Sequence, residues 1–154
     1  MVKDVLVQAM KNIEELSEKL GYKIKSDDYY IEDMGCPHKF PKSLPKGYGA
    51  VYLFVYGNDD KYEFLKIGKA NQKSSARFVS QHYGFNAMST LAKSICQDPQ
   101  FQAMGLLPEN VKEWMFRNLH RLNIYIKVEC GKATTELVEA ILHYQFRPRY
   151  EGNI

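Results

Sequence analysis

Residues that could bind a metal ion or an anionic group stand in the last two-thirds of the chain. Glu139 can hold a hard dication together with waters. Arg77 offers a planar fork that can clamp two phosphate oxygens. Tyr52 and Lys66 add a hydroxyl and an ammonium group, so the residue types permit metal-dependent phosphate chemistry.

Each of these residues also has a more common structural role. A tyrosine such as Tyr52 in an apolar strand usually packs in the core, whereas Lys66 and Arg77 would ordinarily be solvated. His82 can cap or pack a helix, and Glu139 can belong to a rim of surface acids. The chemical interpretation therefore depends on whether the fold brings these side chains together.

Two adjacent strands are predicted around a polar turn. Residues 50–56 are β-branched and aromatic, residues 57–60 are turn formers, and residues 62–67 form a second strand. A hairpin centred near Asp59 places Tyr52 directly opposite Lys66 on one sheet face. A slip of one residue in the pairing would separate the two side chains onto different faces.

Helices and a third strand follow from apolar spacing, caps and stop signals. The predicted helices lie at residues 2–20, 77–83, 87–96, 108–119 and 135–146, and the third strand at 123–129. Residues 1–48 are predicted to be an N-terminal helix followed by a loop-rich connector, and residues 49–154 the main domain with a helical insert at about 86–122. The fold class is therefore α/β of the α+β kind.

The first helix carries a narrow apolar seam whose members step by four and three residues: Val2, Leu6, Ala9, Ile13, Leu16 and Leu20. We expect this seam to pack on the domain body, because one short seam in water is marginal without further burial. The alternative is a homodimer formed through the same seam.

The order of elements and motifs resembles the GIY-YIG nuclease superfamily over about residues 49–153. Gly49, Val51 and Tyr52 match its first motif with one residue inserted, and Lys66-Ile67-Gly68 matches its second. Lysine stands there in place of the second tyrosine, as it does in some subfamilies. The resemblance implies a three-stranded antiparallel sheet flanked by helices.

At the end of the chain the agreement is partial. Pro148 and Tyr150 match the closing motif of the family, but Glu151 stands where asparagine is expected and Asn153 is out of register. Arg147 and Arg149 flank this motif and are candidates for contact with nucleic acid.

The resemblance also implies the function and the role of each residue. The chain is expected to be a metal-dependent DNA endonuclease that uses Mg²⁺ or Mn²⁺, with Glu139 as the metal ligand and Arg77 as the catalytic arginine. Tyr52 would be the general base, and a lysine across the strand pair would favour its phenolate over a phenol of ordinary pKa ~10. His82 would assist one turn after Arg77. Gly49 and Gly68 would be structural residues of the two motifs.

Composition sets broad limits on these expectations. A formal charge of +3 permits DNA binding without indicating it. Three widely spaced cysteines argue against a disulfide framework, and Cys36-Pro37-His38 is better explained as a structural loop than as half of a zinc site. No apolar leader or membrane span is evident, which predicts a cytoplasmic protein without membrane contact. The alternative function is a catalytically degenerate module of the same fold that binds nucleic acid or regulates.

Overall fold

A four-stranded antiparallel sheet with helices on both faces forms the protein, which a computed structural model describes over residues 2–150. The sheet order is β1-β4-β2-β3, with strands β1 (Tyr29–Gly35), β2 (Tyr48–Gly57), β3 (Tyr62–Ala70) and β4 (Leu119–Lys127). The helices are α1 (Val2–Lys19), α2 (Ser75–Val79), α3 (Leu91–Gln97), α4 (Pro99–Gln102), α5 (Val111–Asn118) and α6 (Lys132–Phe146). The α+β class is thereby confirmed.

The predicted number of strands was wrong, because the segment expected to be only a loop-rich connector contributes β1 to the sheet. Tyr29, Tyr30 and Ile31 are β-prone residues whose signal was masked by the glycines and prolines that follow. The strand pairs with the outer side of β4, where the ring of Tyr30 stacks on that of Tyr125 with centroids 4.8 Å apart. The N-terminal segment therefore belongs to the same sheet as the rest of the chain.

Alternation along β2 divides the core between the two sheet faces. On one face Val51, Leu53 and Val55 pack with α1 and α6. On the other face Tyr52 and Phe54 pack with the elements between α2 and α5. Most of the seam of α1 packs on the first face, as expected for a helix docked on the body: Leu16 is half-buried and Leu20 is 61% exposed, whereas the buried members are Val2, Leu6, Ala9 and Ile13.

The predicted strand register was wrong by two residues at Tyr52. The loop between β2 and β3 closes with Gly57 opposite Tyr62, one residue away from the predicted pairing. A bulge between Phe54 and Val55 then adds one residue, so that Tyr52 lies opposite Gly68 and not opposite Lys66. Together the turn and the bulge shift the pairing by two residues. Because side chains alternate between the sheet faces, a shift of two leaves Tyr52 and Lys66 on the same face, as predicted.

Most helix boundaries differ from the predicted ones by a few residues. The helix expected to run from Arg77 to Tyr83 is split into α2 and a short 3-10 turn that ends before Gly84. The helix expected from Ala87 begins later, because the hydroxyl of Thr90 accepts from the backbone N–H of Lys93 and caps α3 there. None of the helices in residues 2–150 is long and apolar enough to cross a bilayer.

Candidate active site

A cavity of about 230 Å³ lies beside the edge strand β3. Its lining residues are Tyr52, Lys66, Ile67, Gly68, Lys69, Arg77 and Glu139. Four of the five side chains predicted to be catalytic thus share one cavity. The fifth, His82, forms a hydrogen bond of 2.7 Å with the hydroxyl of Tyr52.

Side chains from both faces of the sheet meet in this cavity. Tyr52 and Arg77 come from the face covered by α2 to α5, whereas Glu139 follows Val138 on α6, which packs on the opposite face. They can converge because β3 is an edge strand. Gly68 on this strand has no side chain, and the hydroxyl of Tyr52 fills the space that a side chain would take. A Cβ at residue 68 would stand 2.5 Å from the hydroxyl oxygen of Tyr52, so the tyrosine occupies the space that any other residue would fill.

Gly49 has a weaker structural reason for being glycine. A Cβ there would lie 3.3 Å from the carbonyl oxygen of Ala70 and 3.8 Å from the hydroxyl oxygen of Thr135. This is a tight contact between the start of β2, the end of β3 and the first turns of α6. The two motif glycines therefore differ, since only Gly68 is required by a residue of the cavity.

Glu139 is the carboxylate of the cavity, and its side chain is 23% exposed. Its Oε1 lies 3.6 Å from the ammonium of Lys69, which is also 4.0 Å from Glu136 one turn earlier on α6. Within residues 2–150 no group of three or more His, Cys, Asp or Glu side chains could hold a metal ion together. One carboxylate with waters and a substrate phosphate nevertheless fits Mg²⁺, which keeps several waters in such sites.

Arg77 is held in place from the loop that precedes α3. Its Nη2 donates to the backbone carbonyl of Ser89 at 3.2 Å, and the side chain lies half-buried along the cavity. One side of the guanidinium is thus anchored to protein. With Lys66 and Lys69 it makes three cations around one carboxylate, a balance that favours an anionic ligand.

The hydrogen bonds of His82 fix its tautomer. The backbone N–H of Leu91 donates to Nδ1 at 3.2 Å. Burial lowers the pKa of His82 to about 2, and the charges of Lys66 and Arg77 act in the same direction, so the ring is neutral. A neutral imidazole whose Nδ1 accepts must carry its proton on Nε2. The Nε2–H therefore donates to the hydroxyl oxygen of Tyr52, and His82 does not take a proton from it.

Behind Tyr52 lies a residue that the sequence analysis missed. Arg121 on β4 is 1% exposed, and its guanidinium carbon lies between 4.9 and 5.9 Å from the ring centroids of Tyr52, Phe54, Phe78 and Tyr83. It donates to Asn123 Oδ1 at 3.1 Å, to the hydroxyl of Tyr83 at 3.1 Å and to the carbonyl of Phe78 at 2.6 Å. All three acceptors are neutral groups.

His38 completes this buried network through hydrogen bonds of both ring nitrogens. Its Nδ1 meets the carbonyl of Leu119 at 2.7 Å, and a carbonyl only accepts, so Nδ1 carries the proton. Burial lowers the pKa of His38 to about 4, which keeps the ring neutral. Nε2 then accepts from the hydroxyl of Tyr83 at 2.7 Å, whose oxygen accepts from Arg121.

The two arginines predicted to contact nucleic acid have other partners and do not belong to the described lining of the cavity. Arg149 donates twice to the carboxylate of Asp98, at 2.5 and 3.0 Å, and holds the pKa of that carboxyl well below its usual range. Arg147 ends α6 in a left-handed conformation over the ring of Tyr144. Both remain predictions as nucleic-acid contacts.

The segment after α6 fastens that helix to the edge strand. The backbone N–H groups of Arg149 and Tyr150 donate to the carbonyls of Phe64 and Leu65 on β3, at 2.9 and 3.0 Å. The segment thus covers part of the strand edge next to Lys66 and fixes the end of α6 relative to β3. The departures from the family motif at Glu151 and Asn153 lie outside the described residues.

No family model, curated protein or solved structure that was compared with the chain matches it. The likeness to GIY-YIG nucleases therefore depends on the motif residues and the order of the elements.

Proposed function

We propose that this protein is a DNA endonuclease of the GIY-YIG type that hydrolyses phosphodiester bonds with Mg²⁺ or Mn²⁺. One observation carries the proposal: a tyrosine, an arginine, two lysines and one carboxylate, drawn from four elements on both faces of the sheet, line a single cavity. Four of them, Tyr52, Lys66, Arg77 and Glu139, also stand at the motif positions of the sequence, and the fold brings these distant positions to one place.

The protein groups divide the work on a bound phosphodiester. Glu139 would hold the dication, which when bound stabilises negative charge on the phosphoryl oxygens. Arg77 offers the free side of its fork to the same oxygens. Tyr52 accepts the proton of the attacking water in its phenolate form, which the donated Nε2–H of His82 and the ammonium of Lys66 both favour. His82 is on this account a positioning donor and not a base.

A catalytically degenerate module that binds nucleic acid is the second candidate. It is favoured by the ion pair between Lys69 and Glu139, because the ammonium already occupies a position beside the carboxylate that a metal would need. Glu151 in place of the asparagine of the family points the same way. In this case the cations of the cavity would hold a phosphate without cleaving its ester.

Incubation of the purified protein with supercoiled plasmid separates the two candidates. We expect nicked or linear product with Mg²⁺ or Mn²⁺ and none after chelation of the metal. An Arg77→Ala variant should lose about 10²–10³ in rate, the usual effect of removing one preorganised charged group. Gel shift of a labelled duplex without cleavage under either metal would instead identify the binding module.

A further inference from the structure

Arg121 is a permanent cation at the bottom of the core, in a place where the fold gives no obvious need for one. Its side chain is 1% exposed on a central strand of the sheet. Burial of a charge is costly unless it is compensated, and most buried arginines face a carboxylate. Here the compensation comes from three neutral acceptors and four aromatic faces.

The nearest carboxylate in this network is one hydrogen bond further away. Asn123 accepts from Arg121 through Oδ1 and donates through Nδ2 to Glu32 Oε1 at 2.9 Å. Glu32 on the edge strand β1 also accepts from the hydroxyl of Tyr125 at 2.7 Å. The amide of Asn123 therefore separates the two charges, and the field of Arg121 is not cancelled by an adjacent anion.

The positive charge of Arg121 lies close to the ring of Tyr52, which lines the cavity. The guanidinium carbon lies 5.5 Å from the centroid of the Tyr52 ring, on the side of β4. Other charged or titratable groups share the cavity with Tyr52 or contact its hydroxyl: Lys66 and Lys69 from β3, Arg77 from α2, Glu139 from α6 and neutral His82 from the 3-10 turn. Among these cations Arg121 has the lowest exposure, 1%, and its guanidinium donates to three protein acceptors.

We propose that Arg121 is a positioning residue of the candidate active site, a buried cation that favours the phenolate form of Tyr52 from the core side of the ring. Burial of Tyr52, which is 1% exposed, acts against ionisation, and a nearby fixed positive charge acts for it. The same charge acts with burial to keep His82 neutral, while the N–H of Leu91 on Nδ1 leaves the Nε2–H directed at Tyr52. The inference depends on the proposed function, in which Tyr52 is the base.

Three variants separate the charge of Arg121 from its packing. Arg121→Met keeps much of the length but removes the charge, and Arg121→Lys keeps the charge with fewer hydrogen bonds. Tyr83→Phe removes one acceptor of Arg121 while leaving the cation in place. If the effect is electrostatic, Arg121→Met should cleave roughly tenfold more slowly near neutral pH, with its pH optimum about one unit higher. Arg121→Lys and Tyr83→Phe should retain the optimum of the parent protein.

A spectroscopic titration tests the inference independently of cleavage. The tyrosinate absorbance of each protein is followed with pH, and the same titration of its Tyr52→Phe derivative is subtracted, which leaves Tyr52. We expect Tyr52 to ionise about one unit lower in the parent protein than in Arg121→Met, with Arg121→Lys near the parent. If Arg121→Met does not fold, ionisation of Tyr52 in the parent at or above ~10, the value for free tyrosine, overturns the inference.

The outcomes of the two measurements are distinguishable. Equal midpoints in the parent and Arg121→Met, with plasmid cleavage intact, overturn the role of Arg121 and leave the proposed function in place. A lowered midpoint that depends on Arg121, with no cleavage under any metal, supports the electrostatic role and contradicts the nuclease assignment.

Discussion

The hydroxyl oxygen of Tyr52 lies 2.5 Å from the point where a Cβ of residue 68 would stand, so Tyr52 and Gly68 fit together only because one of them has no side chain. The two residues are direct cross-strand partners on β2 and β3. Their contact puts the phenol at the edge of the sheet, where residues from both faces can meet it. The glycine of the second motif thus has a steric role in the candidate site.

Gly68→Ala should displace Tyr52 from the cavity. The added methyl group would meet the hydroxyl and ring carbons at 2.5–2.8 Å, and overpacking of this kind costs about 1–3 kcal/mol. We expect a drop in the free energy of unfolding, measured with urea, and loss of cleavage. Gly84→Ala is the matched control, because a Cβ there has no heavy atom within 4 Å. Equal behaviour of the two variants would show that the contact is unimportant.

Tyr52→Phe should reduce activity far more than stability. The ring remains, but the Nε2–H of His82 loses its acceptor, which costs about 1–3 kcal/mol for a buried donor. The rate of plasmid cleavage should fall by about 10² or more, since the proposed base is gone. Tyr56→Phe, on the same strand, serves as the control. Cleavage by Tyr52→Phe at the parent rate would remove the hydroxyl from the mechanism.

Stability should fall in mild acid because two buried histidines stay neutral in the folded chain. The pKa of His38 is lowered to about 4 and that of His82 to about 2, against about 6.5 in the unfolded chain. The unfolded chain therefore binds protons first as pH falls. The free energy of unfolding should be level above pH ~6.5 and decrease below it, by up to about 1.4 kcal/mol per unit for each histidine.

Urea denaturation at several pH values measures this dependence. His82→Gln keeps one donor and one acceptor but cannot be protonated in this range, so its curve should fall less steeply below pH ~6.5. Parallel curves for the parent protein and His82→Gln would mean that His82 is not held neutral by the fold.

Removal of Lys69 should strengthen metal binding. Its ammonium lies 3.6 Å from Glu139, so a dication has to displace or share that contact. Partly exposed ion pairs are worth about 0.2–1 kcal/mol, which corresponds to an affinity for Mn²⁺ up to about fivefold higher in Lys69→Met. Paramagnetic titration with Mn²⁺ gives the value, with Lys127→Met as a control whose ammonium pairs with Glu129. Weaker binding by Lys69→Met than by the control would indicate that Lys69 helps to hold the site.

The sequence predicted the members of the cavity better than their arrangement. Motif order identified Tyr52, Lys66, Arg77 and Glu139, but the turn and the bulge that set the register depend on local geometry with no clear sequence signal. Lys66 was predicted on the correct face of the sheet only because the turn and the bulge each shift the strand pairing by one residue, and a total shift of two residues restores the face. Arg121 was missed because the third strand was predicted to begin at residue 123, whereas β4 begins at Leu119, so Arg121 fell between the predicted elements and its burial under the helices of that face had no sequence signal.

Replacement of Glu139 by glutamine tests the central claim most directly. The change keeps the size of the side chain and removes the charge that would hold the dication. The measurement is the rate of nicking of supercoiled plasmid in Mg²⁺, with Glu136→Gln as the matched control one turn earlier on α6. We predict nicking by the parent protein and by Glu136→Gln, and a loss of about 10²–10³ or more in Glu139→Gln. Equal nicking by Glu139→Gln and Glu136→Gln would contradict a metal-dependent site at this cavity.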